Sequence, residues 1–527
     1  MTKARHPGVL SAVQRKVFGL PPATTAYTVE RGLRVPTADG AQLLTDVYLP
    51  VGKAHGTVLI RSPYGRGLPE SLVHGRAFAE RGYQVVVQSV RGTGGSTGTF
   101  RPMAQEASDG QDTVAWLRTR PWFGGRLATI GGSYLGWAQW ALLRDPPPEL
   151  RASAVVVGPH DFARALRGSG SFALEDFLVW SATIRAGLAE MLAARRRVKA
   201  ALREPTAEAA AESALGTKAP WFAEWLGHPD LDDPFWTDYD ATSALATSRV
   251  PTLLIGGWHD VFVDQTLEQF QALNDRGVDV AMTIGPWTHL DTTFKAARVA
   301  DPEALAWFGR HLRGTASGRP APVRIHLTGA GTWRSLPSWP PKTGEHTLSL
   351  HGSGQLRDEP ADAPGTAGFA YDPADPTPAV GGRHMSAKAG RQDNGPLESR
   401  DDVVTFTSAP LEADLDVVGA PHLELRLEVD AAARPDLFVR LCDVDDRGRS
   451  WNVTESFGRL TTTSGAVSLR LGSCAHRFLA GHRIRLQVSG GAYPRFARNP
   501  APARYTLVCT GSSLSLPVEA VSTEESA

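Results

Sequence analysis

The chain has 527 residues, too many for one hydrophobic core, so two or three domains are expected. Lys plus Arg and Asp plus Glu each number 55, and this balance argues against nucleic acid or an anionic membrane surface as a partner and favours a small neutral or amphipathic ligand. Cys442, Cys474 and Cys509 are the only cysteines, and their odd number without metal-ligand spacing argues against a zinc site and a disulfide framework; with no apolar h-region near the start and no run of about 20 apolar residues, a reduced, cytoplasmic protein that spans no membrane is expected.

Residues Leu33 to Leu49 read as two strands around a turn at Asp39-Gly40, with period-2 alternation in Leu43, Thr45, Val47 and Leu49. Thr57 to Ile60 is a continuous apolar run of the kind that fills a parallel sheet, and it ends in the loop Arg61 to Arg66, which carries Tyr64. A helix around Leu72 to Glu80 and a buried strand from Tyr83 to Val87 follow, then the glycine-rich loop Arg91 to Gly98. That loop has Thr97 where a dinucleotide fingerprint needs glycine, and no lysine completes a P-loop, so it reads as a tight connection and no nucleotide cofactor is expected.

A helix over Asp112 to Arg118 leads to the most informative stretch, LATIGGSYLGWAQW from Leu127 to Trp140. An apolar strand meets Gly131-Gly132, then Ser133, then a helix-capable segment, so a hydroxyl sits at a sharp strand-to-helix corner with free backbone N–H groups behind it. This is the setting of a nucleophile elbow, with the second glycine of G-x-S-x-G one place late, at Gly136. Ser153 to Val157 is a further strand. From Phe162 to Leu245 the strand rhythm stops and a helix-rich insertion, broken at Pro205, is expected to cover the site; its Arg195, Arg196, Arg197 and Lys199 read as a solvated helix face.

The rhythm resumes with Pro251 to Ile255, ending in GGWHD, and Val280 to Ile284, ending in GPWTH. Two consecutive strands thus deliver Asp260 and His289 at their carboxyl ends, where ligands gather in such sheets. Alone, Asp260 fits a helix cap and His289 a loop histidine. Together with Ser133 they stand in the chain order of α/β-hydrolases. Ser133 is therefore assigned as nucleophile, His289 as general base and then acid, and Asp260 as the carboxylate that orients the imidazole; His259 is the rival base, but as the neighbour of Asp260 in a turn it points elsewhere. The oxyanion donors are the backbone N–H of Tyr134 and the Tyr64 hydroxyl, although Tyr64 also fits a packed loop aromatic. Trp137, Trp258 and Trp287 flank these segments and either line the acyl pocket or belong to the core. From about Pro322 the character becomes all-β, with alternating runs such as Val323 to Leu327, His422 to Leu427 and Ile484 to Val488. The acidic tail after Pro517 is expected to fray.

GGSYLGW, RSPYGR, GGWHD and GPWTH together resemble the cocaine esterase/X-Pro dipeptidyl-peptidase group of serine hydrolases, the CocE/NonD family, whose elbow G-x-S-Y-x-G accounts for the late glycine. The likeness extends to Trp339-Pro340-Pro341, to YDPADPTP from Tyr371 and to GHRIRLQVSGGAYPRFARN from Gly481. It implies an α/β-hydrolase core in two parts (residues 1–158 and 249–318), a helical cap insertion (159–248), a C-terminal all-β jelly-roll domain (319–527), the triad Ser133, Asp260 and His289, oxyanion donors Tyr64 and the Tyr134 amide, and hydrolysis of esters or amides without metal or cofactor. Two positions depart from the family pattern: Ser89 stands where an acid usually precedes the glycine loop, and Gly309 where W-F-D has aspartate.

The leading expectation is cleavage of carboxylic esters of a small molecule with a compact, partly apolar acyl group. The alternative within the class is an X-Pro dipeptidyl-peptidase, an α-amino-acid ester hydrolase or an acylase, for which Glu175 and Asp176 in the cap would face the substrate ammonium. A more remote alternative is a non-catalytic carbohydrate-binding protein.

Overall fold

The computed structural model describes residues 4–519 except 69, 185, 187, 294 and 317; the end of the acidic tail lies outside the described residues. The first sheet contains β1 (Tyr27–Pro36), β2 (Gln42–Pro50), β3 (Thr57–Ser62), β4 (Gln84–Ser89), β5 (Leu127–Gly132), β6 (Leu150–Val156), β7 (Thr252–His259), β8 (Val280–Thr288), β9 (Val323–Leu327) and β10 (Thr332–Leu336). Their order across the sheet is β1-β2-β4-β3-β5-β6-β7-β8-β9-β10. Every neighbouring pair from β4 to β9 along that order is parallel, and the outer pairs are antiparallel. β3, β4 and β7 are buried along their whole length because helices cover both faces, and their sequences accordingly show runs of apolar residues rather than alternation.

The alternating run Val323–Leu327, expected to open the all-β domain, instead extends the first sheet, with Met282, Thr283 and Ile284 opposite Val323, Arg324 and Ile325. Alternation records only that one face of a strand is buried. Tertiary contact chose the partner, and Val323, Ile325 and Leu327 are buried in the hydrolase core.

The insertion between β6 and β7 is helical, as its composition requires. Asp161 caps the helix Phe162–Arg167 by accepting from the Arg164 N–H at 2.9 Å, and Thr206 caps Ala207–Leu215 in the same way at 3.2 Å. Phe162 lies edge-on to Phe177 and Trp225, with ring centroids 5.3 and 5.1 Å away, so the cap has its own aromatic core.

The C-terminal domain is all-β, a jelly-roll-like sandwich whose long strand Ala503–Glu519 pairs with Gly344–His351, Thr366–Tyr371, Leu415–Gly419 and His422–Ala431. Cys442, Cys474 and Cys509 are free thiols buried within it. Arg383 joins this domain to the core: it pairs with Asp264 at 2.8 Å and donates to the Trp258 carbonyl at 3.2 Å.

Candidate active site

β5 ends at Gly132, and the chain turns at Ser133 with φ 58° and ψ −119° before entering the helix Tyr134–Leu143. A side-chain-bearing residue in this region carries strain of about 1–3 kcal/mol, held here by the strand on one side and the helix on the other. The late glycine has a packing reason. A Cβ at Gly136 would stand 2.6 Å from the Gly158 Cα, so only glycine lets the helix lie this close to the chain leaving β6. Tyr134 begins the helix, and its N–H has no intrahelical acceptor.

The turns after β7 and β8 bring the other two sequence-assigned residues to this corner. His289 Nε2 lies 3.0 Å from Ser133 Oγ, and His289 Nδ1 lies 2.6 Å from Asp260 Oδ1. A carboxylate only accepts, so Nδ1 carries the hydrogen and Nε2 is left to accept from the serine hydroxyl. Asp260 is fully buried, and its second oxygen accepts from the Phe262 N–H at 3.1 Å. Phe262 also packs edge-on against the His289 ring at 5.4 Å. The rival base His259 is buried elsewhere, with its pKa pushed down to about 4 by burial and then by the Arg383 charge.

Tyr64 is 44% exposed on the wall of a cavity of about 600 Å³ that also reaches Ser133 and His289. Its phenol oxygen accepts from the Trp180 indole N–H at 3.2 Å. Indole nitrogen only donates, so Tyr64 keeps its own hydrogen for another acceptor. Desolvation of the phenol group raises its pKa. The side chain of Tyr134 does other work: it donates to Glu106 at 2.7 Å and accepts from the Met103 N–H at 3.1 Å, fastening the helix start to the loop before Glu106.

The cap supplies Trp180, Glu175 and Asp176 to the same cavity, and the β domain supplies Met385, whose N–H donates to Asp176 at 2.7 Å. Burial lifts Glu175 to about 7, with the Asp176 charge adding to it, and lifts Asp176 to about 6 against the pull of that hydrogen bond. Arg195 stands at the cavity edge, whereas Arg196, Arg197 and Lys199 face solvent as expected.

The three flanking tryptophans do not line this cavity. Trp137 is fully buried and donates to the Met103 carbonyl at 2.9 Å. Trp258 donates to the His326 carbonyl at 2.7 Å and packs on Trp339. Trp287 folds back over β8, where a Cβ at Gly285 would sit 2.5 Å from its ring. All three are buried in the core. Trp180, the aromatic residue that does face Tyr64, stands four residues after Asp176 on one helix face, a spacing legible in the sequence once the helix is oriented.

A parallel sheet carrying a serine at a strand-to-helix corner, with an imidazole and a buried acid delivered by later strand ends, defines an α/β-hydrolase. Residues 39–291 match the profile of the X-Pro dipeptidyl-peptidase (S15 family), and residues 316–513 that of the X-Pro dipeptidyl-peptidase C-terminal non-catalytic domain. The chain is 30% identical to the cocaine esterase of Rhodococcus sp. (strain MB1 Bresler) over 90% of its own length and 92% of that protein's. Its fold is shared with an aminopeptidase from the marine sediment archaeon Thaumarchaeota archaeon (22% identity, TM-score 0.81, covering 94% and 97% of the two chains). It is shared also with an α-amino acid ester hydrolase (23% identity, TM-score 0.80, covering 95% and 99%). The chain therefore belongs to the S15 family of X-Pro dipeptidyl-peptidases and cocaine esterase, the CocE/NonD hydrolases, and is a hydrolytic enzyme of the serine type. Among the described residues no helix is long and apolar enough to cross a membrane.

Proposed function

We propose that this hydrolase cleaves carboxylic esters of small molecules through an acyl-enzyme on Ser133. His289 Nε2 takes the Ser133 proton as Oγ attacks the ester carbonyl carbon, and Asp260 stabilises the imidazolium that forms. The carbonyl oxygen becomes an oxyanion held by the Tyr134 N–H and the Tyr64 hydroxyl. His289 then gives its proton to the departing alkoxide, and the alcohol leaves. Water repeats the sequence on the acyl-enzyme and releases the acid, restoring Ser133.

The observation that carries this reading is the unbroken chain from Ser133 Oγ through His289 to Asp260, at 3.0 and 2.6 Å, opening into a cavity large enough for a small molecule. Exposure to a fluorophosphonate should add its mass to the peptide containing Ser133. An unlabelled Ser133 in folded protein would sink the proposal. A second reading, a substrate with a free ammonium next to the scissile carbonyl, draws support from Glu175 and Asp176 on the cap wall. Comparing p-nitrophenyl esters with Gly-Pro-p-nitroanilide separates the two: turnover of the anilide alone would replace the first reading by the second.

A further inference from the structure

The wall of the cavity beside Tyr64 carries three titratable side chains that the proposed acyl transfer does not use: Glu70, His74 and Asp301. They come from distant parts of the chain. Glu70 and His74 belong to the turn and helix following β3, and Asp301 to the helix Ala297–Arg313 following β8. His74 Nδ1 bonds Glu70 Oε2 at 2.9 Å, and that hydrogen bond and the Glu70 charge outweigh burial and raise the imidazole's pKa. Asp301 is 4% exposed, and its Oδ2 is buried with no hydrogen-bond partner among the described residues. Buried polar oxygens are rarely left so, because an unmet acceptor forfeits its hydration without return.

His74 and the Arg81 guanidinium both act on Asp301, but the Arg81 donors go to the carbonyls of Pro21 and Ala77, and the His74 Nδ1 goes to Glu70, so among the described residues neither supplies Asp301 Oδ2 with a hydrogen bond. Glu70 is close enough to Tyr64 to act on its phenol, so the cluster continues the cavity wall outward from the oxyanion side rather than from the cap, where Glu175 and Asp176 stand.

We propose that Asp301, with Glu70 and His74, forms a second polar subsite that takes an alkylammonium group carried by the substrate away from its scissile carbonyl. The ammonium gives Asp301 Oδ2 the donor it lacks. The inference deepens the esterase reading and rests on it for the word substrate, but amine binding itself does not require a reactive Ser133.

The test has a binding arm and a turnover arm. Calorimetric titration should show n-hexylammonium binding the intact protein better than 1-hexanol, and Asp301→Asn should reduce the amine's affinity about tenfold or more, as expected for loss of a charged hydrogen bond. Glu70→Gln, which keeps the shape and removes one charge, should weaken it less. The Asn variant should also melt at a higher temperature than wild type, since it relieves an unpartnered carboxylate, and this shows that it folds. In turnover, wild type should favour p-nitrophenyl 6-aminohexanoate over p-nitrophenyl heptanoate in kcat/KM, and Asp301→Asn should abolish that preference. Amine affinity that survives Asp301→Asn but falls in Glu175→Gln would place the cation on the cap and overturn the proposal, as would equal affinity for hexylammonium and hexanol. Amine binding lost in Asp301→Asn with neither ester hydrolysed would leave the subsite standing and defeat the esterase reading instead.

Discussion

Two regions of the molecule, the interior of the β domain and the wall of the cavity, treat buried charge in opposite ways. In the β domain, Glu455 is buried and fully met: it accepts from Arg440 at 2.7 and 3.0 Å, from the Arg383 N–H at 2.8 Å and from Arg495. The Arg440 and Arg495 charges hold its carboxyl well below the usual range despite burial. Arg440 in turn reaches the Asn394 oxygen and the Val380 carbonyl. At the cavity wall the acids are less well met: Asp301 lacks a partner at Oδ2 among the described residues, and Glu175 and Asp176 of the cap sit above the ordinary carboxylate range. Paired burial locks one domain arrangement, whereas unpaired burial beside a cavity stores interaction for a molecule that has yet to arrive.

The sharpest way to break that contrast is to show that either region does the other's work. Ser133→Ala should lower ester turnover by about 10⁵–10⁶ with the melting temperature unmoved, because the nucleophile supports no packing. Appreciable turnover by this variant in a p-nitrophenyl ester assay would remove the serine from the chemistry. On the other side, Glu455→Gln should cost about 3–5 kcal/mol in urea unfolding, since it strands the buried Arg440 guanidinium. A loss below about 1 kcal/mol would mean that the network is not a clamp.

Tyr64→Phe should cut kcat about a hundredfold, the 2.7–4 kcal/mol usual for one oxyanion donor, and leave stability unchanged. An unchanged kcat would reduce Tyr64 to a packed aromatic. The smallest effect is on the pH dependence of folding. Asp301 is raised from 3.8 to about 6, chiefly by burial, so the folded chain holds a proton that the unfolded chain releases first. Its contribution to stability is therefore flat below the unfolded value, falls as pH rises from about 4 to 6, and is level again above that. At 1.36 kcal/mol per unit the fall is on the order of 2–3 kcal/mol. Comparing urea midpoints at pH 4 and pH 7, Asp301→Asn should lack that fall, and identical pH profiles for the two proteins would contradict it.

Much of the site was legible before any coordinates because its chemistry coincides with local punctuation. An apolar run ending in glycine marks a strand's carboxyl end, and Ser133, Asp260, His289 and Tyr64 each stand just past one. The residues that escaped detection lie on helices, where the sequence marks a face but not what the face looks at. Trp180 reads as one more aromatic in an alanine-rich insertion, and Asp301 as an acid in an amphipathic helix. Trp137, Trp258 and Trp287 illustrate the converse: nearness in sequence to reactive residues says nothing of which way a ring turns, and all three turn into the core.

By itself the amino-acid order determined the rhythm of strands and helices, the helical insertion, the all-β second half and the three residues that meet at the corner after β5, since each depends on backbone preference and burial period within a few residues. Only tertiary structure decided that β9 joins the first sheet, that the cap turns Trp180 toward Tyr64, and that Asp301, on the helix after β8, shares a cavity wall with His74, from the helix after β3. Those contacts join segments more than 100 residues apart, where nothing local in the chain encodes orientation and only the packing of the whole selects it.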